Sequence, residues 1–220
     1  MTTILLVRHG HVEGIRPERF RGREDLPLTE RGGAEALAVA RRIASKWRPE
    51  RVYTSPLSRC AATAAAIADA CGIEAQSIEE LNDIDYGAWR MKTHEEMAAA
   101  EPRLSATWFN SPHLMRFPGG DALQDLVARS ADAVRLVRDS HPNGTVVLVS
   151  HDSVNRALLL QLADLPLCSY WRLAQTPCCI NEIELTDNQV RILTINETSH
   201  LDGVDAAQVK VSIPRQSRGL

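Results

Sequence analysis

Two stretches of the 220-residue chain limit its architecture most: TTILLVR (Thr2 to Arg8) and TVVLVS (Thr145 to Ser150). Ile4 to Val7 and Val146 to Val149 are apolar without a break. A strand with one wet face alternates apolar and polar positions, so a strand with no polar face needs cover on both sides. Helical spacing between the two runs supplies that cover. Leu28 to Trp47 places Leu37, Ala40, Ile43, Ala44 and Trp47 along a helix with Thr29 as its N-cap. PLSRCAATAAAIADAC, after the short strand signal Arg51 to Ser55, is a second helix closed by Gly72. Ile73 to Ile78 is a candidate third strand, Asp121 to Ser140 an amphipathic helix, and Val154 to Leu165 another helix. CCINEIEL and QVRILTIN flank TDN (Thr186 to Asn188) as a hairpin. This order predicts an α/β fold: a three-layer sandwich with a mainly parallel sheet flanked by helices. It is read as a single domain over residues 1–220, with 79–120 as an irregular cap segment of short helices and loops and 202–220 as a polar, mobile tail.

Composition narrows the partners. Lys and Arg number 25 against 28 Asp and Glu, a formal net charge of −3. That balance gives no electrostatic reason to expect nucleic acid or an anionic membrane. No apolar stretch approaches the roughly 18 residues of a membrane span, and Ile4 to Val7 is too short for the core of a signal peptide. Five cysteines, none at C-x-x-C spacing, suit neither a disulfide framework nor a zinc site. The expectation is a cytoplasmic protein with reduced thiols, and vicinal Cys178 and Cys179 read as small buried hydrophobes.

In mainly parallel sheets ligands bind beyond the carboxyl ends of the strands. Arg8, His9 and Gly10 follow the first strand, Arg59 follows Arg51 to Ser55, and His151 and Asp152 follow Thr145 to Ser150. Two arginines converging on one pocket imply an anion, because guanidinium forks match phosphate oxygens and keep their charge at any working pH. A neutral histidine is a competent nucleophile toward phosphorus, and arginines plus burial would keep it unprotonated. The second histidine, if protonated, would donate to the phosphoryl oxygens. Gly10 is expected to let backbone and ligand approach closely.

RHG at the end of the first strand, TSPLSR (Thr54 to Arg59), SH at Ser150-His151, FRGREDLPLTERG (Phe20 to Gly32), LNDIDYGAW (Leu81 to Trp89) and INETSHL (Ile195 to Leu201) together resemble the histidine phosphatase superfamily, which includes phosphoglycerate mutases and many phosphatases. The resemblance runs from Ile4 to Leu201. It implies that His9 becomes a phosphohistidine, that Arg8, Arg59 and His151 hold the phosphoryl group, and that no cofactor or metal is needed. It also implies a carboxylic acid that protonates the leaving oxygen and then activates water. That acid is usually a glutamate; here the matching position is Asp83, one methylene shorter, with Glu80 and Asp85 as alternatives. Ile15 stands where an asparagine often touches the phosphoryl group, and Asp152 replaces a common glycine after the second histidine. Asp152, Arg21 and Arg23 are further candidates for substrate contact. A homodimer is a family expectation only.

The reading is a metal-independent phosphatase acting on a small-molecule phosphate ester. Three alternatives stay open. One is phosphoglycerate mutase-type transfer, although mutases typically carry longer insertions than this chain. Another is a phosphoryl-ligand binding protein without turnover, motivated by Asp83 and Ile15. The third is a metal hydrolase using His9, His11 and Asp152, against which the neighbouring arginines would repel a cation. Trp89 and Trp108 are read as packing residues, and His11, His94, His113, His141 and His200 receive no role.

Overall fold

The computed structural model describes residues 1–15, 17–186 and 188–204. From residue 205 onward the expected mobile tail lies outside the described residues. Six strands, β1 (Thr2–Arg8), β2 (Arg51–Thr54), β3 (Ala75–Ser77), β4 (Thr145–Ser150), β5 (Ile180–Leu185) and β6 (Val190–Glu197), form one sheet in the order β3-β2-β4-β1-β5-β6. The first four in that order run parallel, while β5 is antiparallel to β1 and β6 to β5. The expected hairpin is the β5–β6 pair.

The two apolar runs are neighbours at the centre, in register from Thr3 opposite Thr145 to Arg8 opposite Ser150. Their side chains alternate between two cores. Leu5, Val7, Val147 and Val149 pack against α1 (Glu30–Lys46) and α2 (Ser58–Cys71). Ile4, Leu6, Val146 and Leu148 face α5 (Leu123–Ser140), α6 (Asp152–Leu162) and the cap segment. Ile4, Leu5, Leu6 and Val7 are all 0% exposed, and each such side chain contributes about 1.5–3 kcal/mol of burial free energy. Among the described residues no helix is long and apolar enough to cross a membrane.

Thr29 caps α1, its side chain accepting from Gly32 N–H, and Gly72 closes α2 in the left-handed region (φ 68°). The buried stripe of α1 keeps Ala40 and Ile43 of the expected positions and adds Ala36 and Val39, whereas Leu37, Ala44 and Trp47 are half-buried, Trp47 packing against the same core. The small residues let α1 lie close to the alanine-rich α2. Helix α6 begins two residues earlier than the spacing suggests. His151 is its extended N-cap residue (φ −115°, ψ 164°) and Asp152 opens the first turn, where a carboxylate suits the positive end of the helix dipole. The cap segment contains α3 (His94–Ala100), α4 (Pro102–Asn110) and short 3-10 turns at Glu79–Leu81, Gly87–Trp89 and Pro112–Leu114.

Candidate active site

The β1–β4 register decides the site. Because Arg8 lies opposite Ser150, the next residues of both strands, His9 and His151, leave the sheet side by side. His9 N–H still donates to Ser150 O at 2.9 Å, and the two rings meet edge-on with centroids 5.3 Å apart. On the other side of β4, Ser55 N–H donates to Val149 O at 3.0 Å. The chain then turns into α2, which carries Arg59 in its first turn.

His9 is 2% exposed. Its Nδ1 lies 2.7 Å from Gly10 O; a carbonyl only accepts, so Nδ1 carries the proton and Nε2 keeps the lone pair. Burial, then Arg59, His151 and Arg8, hold this imidazole well below the usual histidine range. Gly10 is required by a close backbone approach: a Cβ there would lie 2.5 Å from Gly32 O, near the start of α1.

His151 is equally buried, and burial followed by Arg59 and Arg8 lowers its pKa well below the ordinary value. Its Nδ1 accepts from Arg59 Nε at 3.3 Å, which leaves Nε2–H to donate to Ser55 Oγ at 2.8 Å. Burial and the guanidinium groups of Arg59, Arg8, Arg129 and Arg21 disfavour the protonated form expected of the second histidine, although Asp83 Oδ2 lies 3.4 Å from its Nδ1.

Arg59 is 0% exposed. It donates through Nη1 to Glu24 O (2.6 Å) and through Nη2 to Gly22 O (2.7 Å) and Asp83 Oδ2 (3.0 Å). The loop after His9 thus covers the guanidinium, a feature the motif TSPLSR does not reveal. Arg8 is less engaged. Nη1 donates to Gln175 O and sits 3.8 Å from Asp152 Oδ1, while Nε is buried with no hydrogen-bond partner.

Asp83 accepts from Arg59, from Ser153 Oγ and from Ile84 N–H (2.8 Å). Its loop is fastened from outside. Arg129 donates to the carbonyls of Glu80, Asn82 and Asp83, and Arg23 to that of Asp83. Arg23 is accordingly a scaffold residue, not a lining one. Of the three candidate acids only Asp83 lines a cavity with His9. Asp85 instead caps its own turn through Gly87 N–H at 2.8 Å, and Glu80 lies outside both cavities.

Two cavities adjoin. An inner one of about 30 Å³ is lined by His9, Asp83, Ser153, Asp152 and Arg21 among others. An outer one of about 160 Å³ continues from it past Arg8, Arg19, Arg156, Glu18 and Ile15 to Trp108 and Trp171. Asp152 pairs with Arg156 at 3.0 Å, and Arg156 lies over the ring of Trp171 at 5.1 Å. Arg21 borders both cavities while donating to Gly14 O at 2.6 Å. His11 turns away, its Nδ1 2.9 Å from Thr29 Oγ1. Among the described residues no three His, Cys, Asp or Glu side chains are grouped so as to hold a metal ion.

The sequence reading missed Ser55, Ser153, Arg129 and Trp171, and it gave His94 no role although that residue borders the outer cavity in a 3.1 Å pair with Glu18. Ser153, two residues past His151 at a helix start, was the most findable. Trp89 is wholly buried as expected, whereas buried Trp108 also forms cavity wall.

The family model described as histidine phosphatase superfamily (branch 1) matches residues 4–198. Phosphoserine phosphatase 1 of Hydrogenobacter thermophilus is 32% identical over 201 residues, 91% of this chain and 95% of its own. A metal-independent phosphoserine phosphatase of Arabidopsis thaliana is 30% identical over 210 residues, 94% of this chain and 87% of its own. Among solved structures, Bacillus stearothermophilus YhfR superposes with a TM-score of 0.86 at 28% identity, covering 91% of this chain and all of that one.

Proposed function

Because the chain belongs to the histidine phosphatase superfamily and is a phosphoric monoester hydrolase of it, we propose that His9 Nε2 is the nucleophile and a small phosphate ester the substrate. The observation that carries this reading is the His9 hydrogen bond to Gly10 O in a cavity shared with Asp83. It leaves one imidazole lone pair available beside one carboxyl group.

The geometry supports the following chemistry. Nε2 attacks phosphorus in line as the P–O bond to the leaving group breaks. Asp83, a carboxylate in the free protein, would take up the proton that the substrate monoanion brings, give it to the departing oxygen, then take one from the water that attacks the phosphohistidine, releasing phosphate and free His9. Arg8 has donors to spare. Arg59 exchanges the Gly22 and Glu24 carbonyls for phosphoryl oxygens, and His151 offers Nε2–H. Developing charge would thus be met by these donors once they turn from their present partners.

The outer cavity receives the leaving group. Its lining carries both signs, Arg8, Arg19, Arg21 and Arg156 against Glu18 and Asp152, so an excess of cations for a carboxylate stands beside acceptors for an ammonium, which suits a zwitterionic alcohol. L-phosphoserine is the candidate we put first, in keeping with the activities for which two relatives are named. Release of phosphate from L-phosphoserine, 3-phosphoglycerate and an aryl phosphate, with and without EDTA, tests this. Chelator-resistant turnover with the highest kcat/KM for phosphoserine supports it; turnover abolished by EDTA, or no hydrolysis of any ester, refutes it.

A further inference from the structure

The segment between the 3-10 turn Leu167–Arg172 and β5 wraps the Arg8–His9 dipeptide from behind. Gln175 O accepts from Arg8 Nη1. Cys178 N–H donates to Arg8 O at 3.0 Å and reaches His9 O at 3.3 Å, from a left-handed conformation (φ 55°) that a non-glycine residue rarely adopts. The carbonyl that orients Arg8 is itself fixed by a network of buried amides. Gln175 Oε1 accepts from Asn155 Nδ2 (3.1 Å) and Asn181 Nδ2 (3.0 Å), while Gln175 Nε2 donates to Asn181 Oδ1 (2.8 Å). Asn181 Nδ2 also donates to Leu6 O at 2.9 Å, directly across the β1–β5 ladder. Gln175, Asn155 and Asn181 are 4%, 0% and 0% exposed.

Such amides are costly to bury, and apolar side chains of similar volume would fill the space without that cost. What they add is geometry. They join the strand that ends in Arg8 and His9 to the helix that begins after His151, through the residue whose carbonyl holds Arg8. We infer that Gln175 is a positioning residue for phosphoryl binding, setting the Arg8 guanidinium so that its unpartnered Nε faces the anion. This rests on Arg8 binding the phosphoryl group, as proposed above.

The test is a double-mutant cycle of Gln175→Leu, which is close to isosteric, with Arg8→Ala. The readouts are kcat and KM for an aryl phosphate, inhibition by inorganic phosphate, and thermal midpoints that fix an assay temperature at which every variant is folded. The expected result is a roughly tenfold to hundredfold loss in kcat/KM and in phosphate affinity for Gln175→Leu, the scale of a misplaced binding group, with no further loss once Arg8 is alanine. Equal losses in both backgrounds, or a lower midpoint with unchanged kinetics, would overturn it, because a merely structural residue behaves that way. If Gln175→Leu does not fold, Asn155→Leu, which removes one bond to Gln175 Oε1, carries the same cycle with a smaller expected loss. Unchanged kinetics and phosphate inhibition in Arg8→Ala alone would refute the role of Arg8 and, with it, this inference.

Discussion

Arg59 Nη2 donates to Asp83 Oδ2 at 3.0 Å, with the arginine side chain wholly buried and the carboxylate nearly so. One contact therefore links the candidate phosphate clamp to the candidate acid. Replacing Arg59 by alanine strands a buried carboxylate and three carbonyl or imidazole acceptors. The expected cost is about 3–5 kcal/mol in stability, together with loss of phosphate inhibition. Urea unfolding and phosphate titration of the same preparation check both.

Asp83→Asn keeps the volume and removes the transferable proton. For an alkyl ester such as phosphoserine, kcat is expected to fall by roughly 10²–10⁴. For a nitrophenyl ester, whose phenolate departs without protonation, the fall in the first step should be far smaller. Comparable losses on both esters in single-turnover experiments would move the acid role elsewhere.

His9 and His151 both have folded pKa values well below 6.5. As pH falls past about 6.5 the unfolded chain binds protons that the folded chain refuses. Their contribution to stability is thus complete above that pH and is lost progressively below it, toward the folded values. Thermal midpoints measured from pH 7.5 to 5 should drop on the acid side. The drop should be shallower in His151→Gln, and an equally steep drop would contradict the assignment.

Two glycines should respond in opposite ways. Gly10→Ala puts a methyl 2.5 Å from Gly32 O, whereas Gly33→Ala, in the first turns of α1, meets nothing within 4 Å. The first is expected to cost about 1–3 kcal/mol by overpacking and to disturb His9. The second should be neutral or gain about 0.5–1 kcal/mol. Chemical denaturation of the two variants decides.

Arg156→Ala opens the outer cavity wall and frees Asp152 from its 3.0 Å partner. KM for phosphoserine is expected to rise about tenfold or more, while an aryl phosphate, which needs no charged contact there, changes little. Equal effects on the two substrates would place Arg156 in scaffold rather than specificity.

Much of this was legible in the chain itself, for identifiable reasons. Ile4 to Val7 and Val146 to Val149 read as doubly covered strands, and ligand binding beyond strand ends picked out Arg8, His9 and His151, while their juxtaposition came from the β1–β4 register. Thr29 and Gly72 marked helix ends because capping chemistry is local. What stayed hidden depends on long-range packing. The Gly22 and Glu24 carbonyls over Arg59 are 37 and 35 residues away from it in sequence. Trp171 reaches the outer cavity from beyond α6, and the fastening of the Asp83 loop by Arg129 spans 46 residues. On α1, Ala40 and Ile43 were legible, while the burial of Ala36 ahead of Leu37 depends on the neighbouring α2.

The most direct test is to trap the covalent intermediate. The protein is mixed with excess L-phosphoserine or aryl phosphate, quenched in base within milliseconds to seconds, and analysed by intact mass and peptide mapping, alongside His9→Ala. The expected result is one acid-labile, base-stable phosphoryl group on His9, forming before phosphate release and absent from the variant. Turnover without any phosphoenzyme, with His9→Ala as active as the parent, would contradict the account.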